Sequence, residues 1–204
     1  EDAELIAHLE VAPRVLSLQL LRQVSPGRAA RVLRAWVIGH GAAPLPATVL
    51  QQGLHELLPA SNDRQARVRW HEHAIQQWRD HAYLLPAQLP SLPRGWQAEW
   101  DGRAPLPLPD GGQLRLRGAV AFERPLQVRA RVGGERIVLP GRPHSHALKD
   151  CLQREHLAPW RRAQLPLIFD GPQLLAAADV VIAAPLQAWL QAQDAQLQWR
   201  PGGW

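Results

Sequence analysis

Three groups of residues in this 204-residue chain could do chemistry: paired histidines, a single cysteine, and arginines gathered around two glycines. His71-Glu72-His73 and His144-Ser145-His146 each set two imidazoles two residues apart, which on a strand puts both on one face and can chelate a metal ion. Neither pair has an evident third ligand, so the competing reading is exposed histidine in polar loops, and no metal is expected. Cys151 is the only cysteine, which excludes an internal disulfide and a multi-cysteine zinc site and fits a reducing cytoplasm. Nothing around it would depress its pKa, so a small buried hydrophobe is expected rather than a nucleophile. Gly133-Gly134-Glu135 lacks the lysine and hydroxyl of a Walker loop and taken alone reads as a tight turn. Its setting says more. Arg129, Arg131, Arg136 and Arg142 flank it and Lys149 follows, and two glycines let a backbone approach phosphates while arginines reach around them.

Charge position supports that reading. Residues 1–110 hold 11 basic against 11 acidic residues, residues 111–170 hold 11 against 5, and residues 171–204 hold 1 against 2, so the net +5 arises in the middle segment. A local basic surplus is the electrostatic footprint of a polyanion site, with solvated surface arginines as the alternative. All but one of the 23 basic residues are arginine, the exception being Lys149. No apolar run approaches the roughly 18 residues a membrane span needs. The opening Glu1, Asp2 and Glu4 lack the basic start of a signal peptide, so no membrane partner is expected. Methionine is absent and the first residue is a bulky acid, so the chain is expected to be a piece of a longer one.

The elements that must position these groups follow from periodicity. Ser25-Pro26 reads as an N-cap with proline at the first helical position, and Ala29, Leu33, Trp36 and Val37 continue it as a helix to Gly39. Pro44 and Pro46 lead to a second helix with Leu50, Leu54, Leu57 and Leu58 on one face. Leu16, Leu18, Leu20 and Leu21 are ambiguous between strand and helix. Short strands are expected between Arg67 and Leu85. Six prolines between Pro86 and Pro109 exclude a helix or interior strand there and mark a junction. Alternation predicts strands over Gln113–Arg117 and Leu126–Val132, each with a basic face. Ser145–Leu157 reads as a helix with Leu148, Cys151, Leu152 and Glu155 along one side and His146, Lys149, Gln153 and His156 along the other. Leu165–Phe169 and Leu174–Ile182 read as two strands around Asp170-Gly171-Pro172. Trp36, Trp78 and Trp189 read as packing residues, and Trp160, beside Arg161 and Arg162, reads as core with stacking on a base or ribose as the alternative. The fold class is α+β: a small helical domain with short strands, then a mixed sheet with one main helix.

Arg131-Val132-Gly133-Gly134-Glu135, then Lys149 with Gln153, then Pro159-Trp160-Arg161-Arg162, then Pro166-Leu167, resemble the C-terminal domain of bacterial tRNA(Ile)-lysidine synthases. That family has an Arg-x-Gly-Gly-Glu loop, a Lys-containing helix, a Pro-Trp-x-Arg turn and a Pro-Leu strand in this order. Here Ala158 replaces the first of two prolines before the tryptophan. Ala30-Arg31-Val32-Leu33-Arg34-Ala35-Trp36 is similar to a helix of the same family's substrate-binding domain. The resemblance implies a linker segment over 1–24, a helical substrate-binding domain over 25–88, a Pro-rich junction over 89–109 and a tRNA-binding α+β domain over 110–204. It implies the tRNA-holding part of an ATP-dependent ligase that attaches lysine to the wobble cytidine of tRNA(Ile) with anticodon CAU. It also implies a cytoplasmic location, ATP, Mg and lysine as ligands of a catalytic domain this chain lacks, and allows a homodimer. The family's Ser-Gly-Gly-x-Asp-Ser loop is absent from this sequence, so no catalytic residue is expected in it. The tRNA-binding residues the resemblance and the charges together nominate are Arg129, Arg131, Gly133, Gly134, Arg136, Arg142, His146, Lys149, Gln153, Arg161 and Arg162. The alternatives are a protein-interaction module with a basic surface and a small metallohydrolase using the paired histidines.

Overall fold

The computed structural model describes residues 2–59, 66–118 and 121–202, and its contacts divide the chain into two units that meet between Leu89 and Pro90. In the first, α1 (Asp2–Leu9), β1 (Glu10–Ala12), β2 (Val15–Ser17) and the single-turn α2 (Leu18–Leu21) precede α3 (Pro26–Gly39) and α4 (Ala47–Leu57). Strands β3 (Arg67–Trp70), β4 (His73–Trp78) and β5 (His81–Pro86) follow. The five strands pair antiparallel in the order β1-β2-β5-β4-β3. Residues 1–24, expected as a linker, thus carry regular structure from Asp2 onward, and Leu9, Leu16, Leu18 and Leu21 are fully buried. The ambiguity of the leucine run has a physical source: it is strand up to Ser17 and helix after it. The Ser17 hydroxyl accepts the Leu20 N–H and turns the chain from one period to the other. One face of α3, with Val32, Leu33, Trp36 and Val37, shares a core with Trp70, Ile75 and Leu84 of the sheet.

The second unit runs through β6 (Gln97–Trp100), β7 (Leu106–Pro107), β8 (Gln113–Arg117), β9 (Leu126–Arg129), β10 (Arg136–Val138), β11 (Ser145–Ala147), α5 (Leu148–Arg154) and α6 (Pro159–Gln164). It ends with β12 (Leu167–Asp170), β13 (Gln173–Ala177), β14 (Val181–Ile182), α7 (Ala184–Ala192) and β15 (Gln196–Arg200). Its sheets are β14-β13-β12-β9-β6, β15-β8-β7 and the hairpin β10-β11. The class is α+β, but every ladder among the described residues is antiparallel rather than mixed, and three helices stand where one was expected. Short links account for the hairpins β7–β8, β10–β11, β12–β13 and β13–β14, since a parallel pairing needs a crossover of a dozen or more residues.

Three local readings change. The strand begun at Leu126 stops at Arg129, leaving Val132 86% exposed, so the alternation beyond Ala130 belongs to a loop. Ser145–Ala147 pairs with β10 as β11, so the helix is only Leu148–Arg154 and Glu155 is exposed. The stretch Leu174–Ile182 is folded at Ala178, φ 47°, into the hairpin β13–β14. The five-stranded sheet of this unit carries apolar cores on both faces, although Gln97 and Glu99 of β6 stay exposed. Trp100, Leu126, Val128 and Ile168 pack with Leu186 and Leu190 of α7 on one side. Leu167, Leu174 and Val181 pack with Ile137, Leu148 and Leu152 on the other.

Candidate nucleic-acid interface

The Gly133-Gly134 loop is held by its own acid. Glu135 Oε1 accepts the N–H of Val132 at 2.7 Å and of Gly133 at 2.6 Å, while Oε2 faces Arg131 Nε at 3.5 Å. Partial burial opposes ionisation of this carboxyl, but the backbone donors and Arg131 outweigh it and hold its pKa below the ordinary 4.5. The Gly133 N–H that a phosphate would have used is therefore bound to carboxylate. What the glycines leave open is space: at φ 103° and 80° neither has a neighbour within 4 Å of where a side chain would stand. Any other residue would be strained there. Glu135 was missed as an organiser of the site, although its place four residues after Arg131 beside two glycines was the available signal.

The other nominated residues divide by how they are held. Arg129 ends β9 with its guanidinium 3.7 Å from the centroid of the Phe169 ring and donates to the Gly171 carbonyl at 3.2 Å. Arg136 bridges the hairpin, donating through Nε to Ser145 Oγ at 2.9 Å and through its terminal nitrogen to the Ser145 carbonyl. His146 lies opposite Ile137 on β11, half-buried, and His156 stands past the end of α5 at φ 55°. The four-residue helical stripe therefore reduces to Lys149 and Gln153, one turn apart and exposed on α5. Arg142 is exposed in the β10–β11 loop. No side-chain hydrogen bond or ion pair ties Arg142, Lys149 or Gln153 to another described residue. Trp160, Arg161 and Arg162 are half-buried on α6.

The histidine pairs do not present two rings on one strand face. His71 occupies a turn at φ 45° while His73 opens β4 against Trp70, with ring centroids 5.5 Å apart. His144 precedes the strand that holds His146. Among the described residues no three His, Cys, Asp or Glu side chains gather as a metal set. Cys151 is buried with Ile137, Leu148 and Leu152, and burial pushes its thiol pKa up. Among the described residues no helix is long and apolar enough to cross a membrane.

Comparison with known proteins places this geometry in context. Residues 16–83 match the family model described as the TilS substrate binding domain, and residues 126–199 match the TilS substrate C-terminal domain. The chain is 50% identical, over 98% of its length and 46% of the other, to a tRNA(Ile)-lysidine synthase of Xanthomonas campestris pv. campestris (strain 8004). It is 47% identical to one of Xylella fastidiosa (strain Temecula1 / ATCC 700964), over 98% of this chain and 47% of that protein. It is 34% identical to one of Alkalilimnicola ehrlichii, over 81% and 39%. The chain thus spans about half the length of the first of these relatives. A solved structure described as the crystal structure of TILS C-terminal domain aligns over 53% of this chain at 18% identity and a TM-score of 0.38, a likeness too low to carry an argument.

Proposed function

Because the chain belongs to the tRNA(Ile)-lysidine synthase family and carries its substrate-binding and C-terminal domains, we propose that it is the tRNA-holding part of an ATP-dependent ligase. That ligase attaches lysine to the wobble cytidine of tRNA(Ile) with anticodon CAU, in the cytoplasm. The observation that carries the reading is the ordered match of both domain models along one chain. The basic segment supports it: Arg142, Lys149 and Gln153 are exposed and untied, and the Gly133-Gly134 turn is open to close approach. An A-form stem hides its base edges in a deep groove, so a protein grips it through phosphates, 2′-hydroxyls and shape, which suits such donors.

ATP and Mg do not fit this chain. The Gly133-Gly134 pair lacks a lysine and hydroxyl behind it, and the Gly133 N–H is taken by Glu135. No step of lysine activation is assigned to these residues. The test is titration of the chain with a tRNA(Ile) transcript bearing anticodon CAU at several KCl concentrations, beside an incubation with ATP and lysine. Salt-sensitive binding without lysidine is expected. Absence of binding, or lysidine made by this chain alone, would refute the reading.

A further inference from the structure

A second basic surface lies outside the loop. β8 and β15 pair antiparallel with Gln113 opposite Arg200, Arg115 opposite Gln198 and Arg117 opposite Gln196. Alternation then separates two faces. Leu114, Leu116 and Leu197 turn inward to the core, with Trp199 partly buried beside them. The outward face carries three arginines and three glutamines in facing pairs. The side chains of Arg115, Arg117 and Arg200 are exposed, and no guanidinium of the three is hydrogen-bonded or ion-paired to another described residue. A shallow groove of about 390 Å³ runs between Arg115, Arg117, Arg200, Gln198 and Asp179. The acid in that lining is engaged, since Asp179 Oδ2 accepts the Trp199 N–H at 3.0 Å. Asp194 stands just before β15 with its carbonyl against Gly118.

Backbone contacts lock this register. A side chain at Gly118, φ 88°, would stand 2.2 Å from the Asp194 carbonyl oxygen, and one at Gly112 would stand 2.9 Å from that of Arg200. The two ends of β8 are thus pressed against β15, and the arginines rise from a fixed frame. A strand advances 3.3–3.4 Å per residue, so Arg115 and Arg117 stand about 7 Å apart along it.

We propose that the outer face of the β8–β15 pair is a second RNA-contacting surface, with Arg115, Arg117 and Arg200 on the sugar-phosphate backbone and Gln113, Gln196 and Gln198 offering amides to 2′-hydroxyls. It rests on the reading that this chain holds tRNA. An acidic protein is the less suitable occupant. Protein interfaces centre on apolar or aromatic anchors, and the large hydrophobic side chains exposed among the described residues are Val11, Ile38 and Val132, none of them on this face. A nucleic-acid backbone needs no such anchor, and neutralising its phosphates releases counterions in proportion to the contacts made.

The test compares five forms of the chain with the tRNA(Ile) transcript by fluorescence anisotropy across a KCl series: wild type, Arg115→Gln/Arg117→Gln/Arg200→Gln, Arg131→Ala/Lys149→Ala, the charge control Arg94→Gln/Arg103→Gln, and Gln198→Glu. The triple variant is expected to flatten the log-affinity against log-salt slope by roughly 2 to 3, about 0.7–0.9 per lost phosphate contact. Gln198→Glu sets a negative charge among the arginines without removing any and is expected to weaken binding too, which covers a triple variant that fails to fold by circular dichroism. A triple variant with the wild-type slope, beside a loop variant that loses slope, overturns this surface and leaves the tRNA reading standing. No binding by the wild type overturns both. Equal flattening per charge in the control, or equally tight capture of poly-L-glutamate by the wild type, also overturns it.

Discussion

The two basic surfaces of the second unit hold their arginines in opposite ways. Around Gly133 the positive groups are already occupied. Arg131 faces Glu135, Arg136 is spent on Ser145, and Arg129 lies over Phe169, whereas the side chains of Arg142 and Lys149 have no hydrogen-bond or ion-pair partner among the described residues. On the β8–β15 face the arginines are untied but their backbone is pinned. Internal partners pre-set direction and compete with a ligand, because each bond to a phosphate first costs a bond within the protein. Untied guanidiniums keep their full attraction for an anion and lose side-chain freedom on capturing it. If both surfaces hold RNA, as proposed, the loop would select geometry and the strand pair would supply salt-sensitive affinity.

The sharpest way to break that contrast is at the frame. Gly118→Ala forces a left-handed backbone onto alanine and drives its methyl into the Asp194 carbonyl. The conformation alone costs about 1–3 kcal/mol, and calorimetry of the chain is expected to show the second unit melting roughly 10 °C lower. The matching change in the loop, Gly134→Ala, meets nothing within 4 Å and should cost about 1 kcal/mol from its φ alone. Equal losses would erase the distinction between a pinned and an open turn.

Next in size is the loop's clamp. Glu135→Gln keeps an acceptor for the Val132 and Gly133 N–H groups but drops the charge facing Arg131, whereas Glu135→Ala loses both. Stability should fall by about 1 kcal/mol for Ala and less for Gln, measured by urea unfolding. If Glu135 only competes with phosphate, the two variants will bind tRNA more tightly than wild type; if it orders the loop, Ala will bind more weakly than Gln. A smaller effect concerns pH. A carboxyl held below its ordinary value in the folded chain adds stability that is present above about pH 4.5 and disappears as pH falls through the lowered pKa. The amide resonances of Val132 and Gly133 should therefore titrate with a midpoint below 4.5, and a midpoint above it contradicts the clamp. The smallest effect expected is from EDTA. With His71 and His144 each outside the strand that holds its neighbour, the melting temperature should not move, and a large fall would revive a metal at the histidines.

Long regular patterns were readable from the sequence, and so were their limits. The helix Pro26–Gly39 appears as its proline and 3.6-residue spacing require, and so does the strand Gln113–Arg117. Ser145–Ala147 was misread because its side chains fit a helix stripe as well as a strand. Only the pairing partner β10, nine residues upstream, decides between them. The same holds for charge. A window of sequence located the surplus at 111–170, yet Arg200 lies beyond that window and shares a face with Arg115 because β15 crosses back to β8. Within the site, the basic loop was legible as composition. The carboxylate inside it was not, since an acid among arginines reads as a cancelled charge until its hydrogen bonds are seen.

The distance between β8 and β15 along the chain has a kinetic meaning. Their paired residues are separated by residues 118–195, about two thirds of the second unit, so the face that carries Arg115, Arg117 and Arg200 is a long-range closure. Such long-range closure is slow, because the entropy of the loop must be overcome before the contact returns any energy. The contacts that hold the loop at Gly133 are local, within five residues, whereas those of the strand pair are not. If the proposed surface holds RNA, its arginines come together only once this distant pairing has formed, so it tests the finished fold and not a local segment.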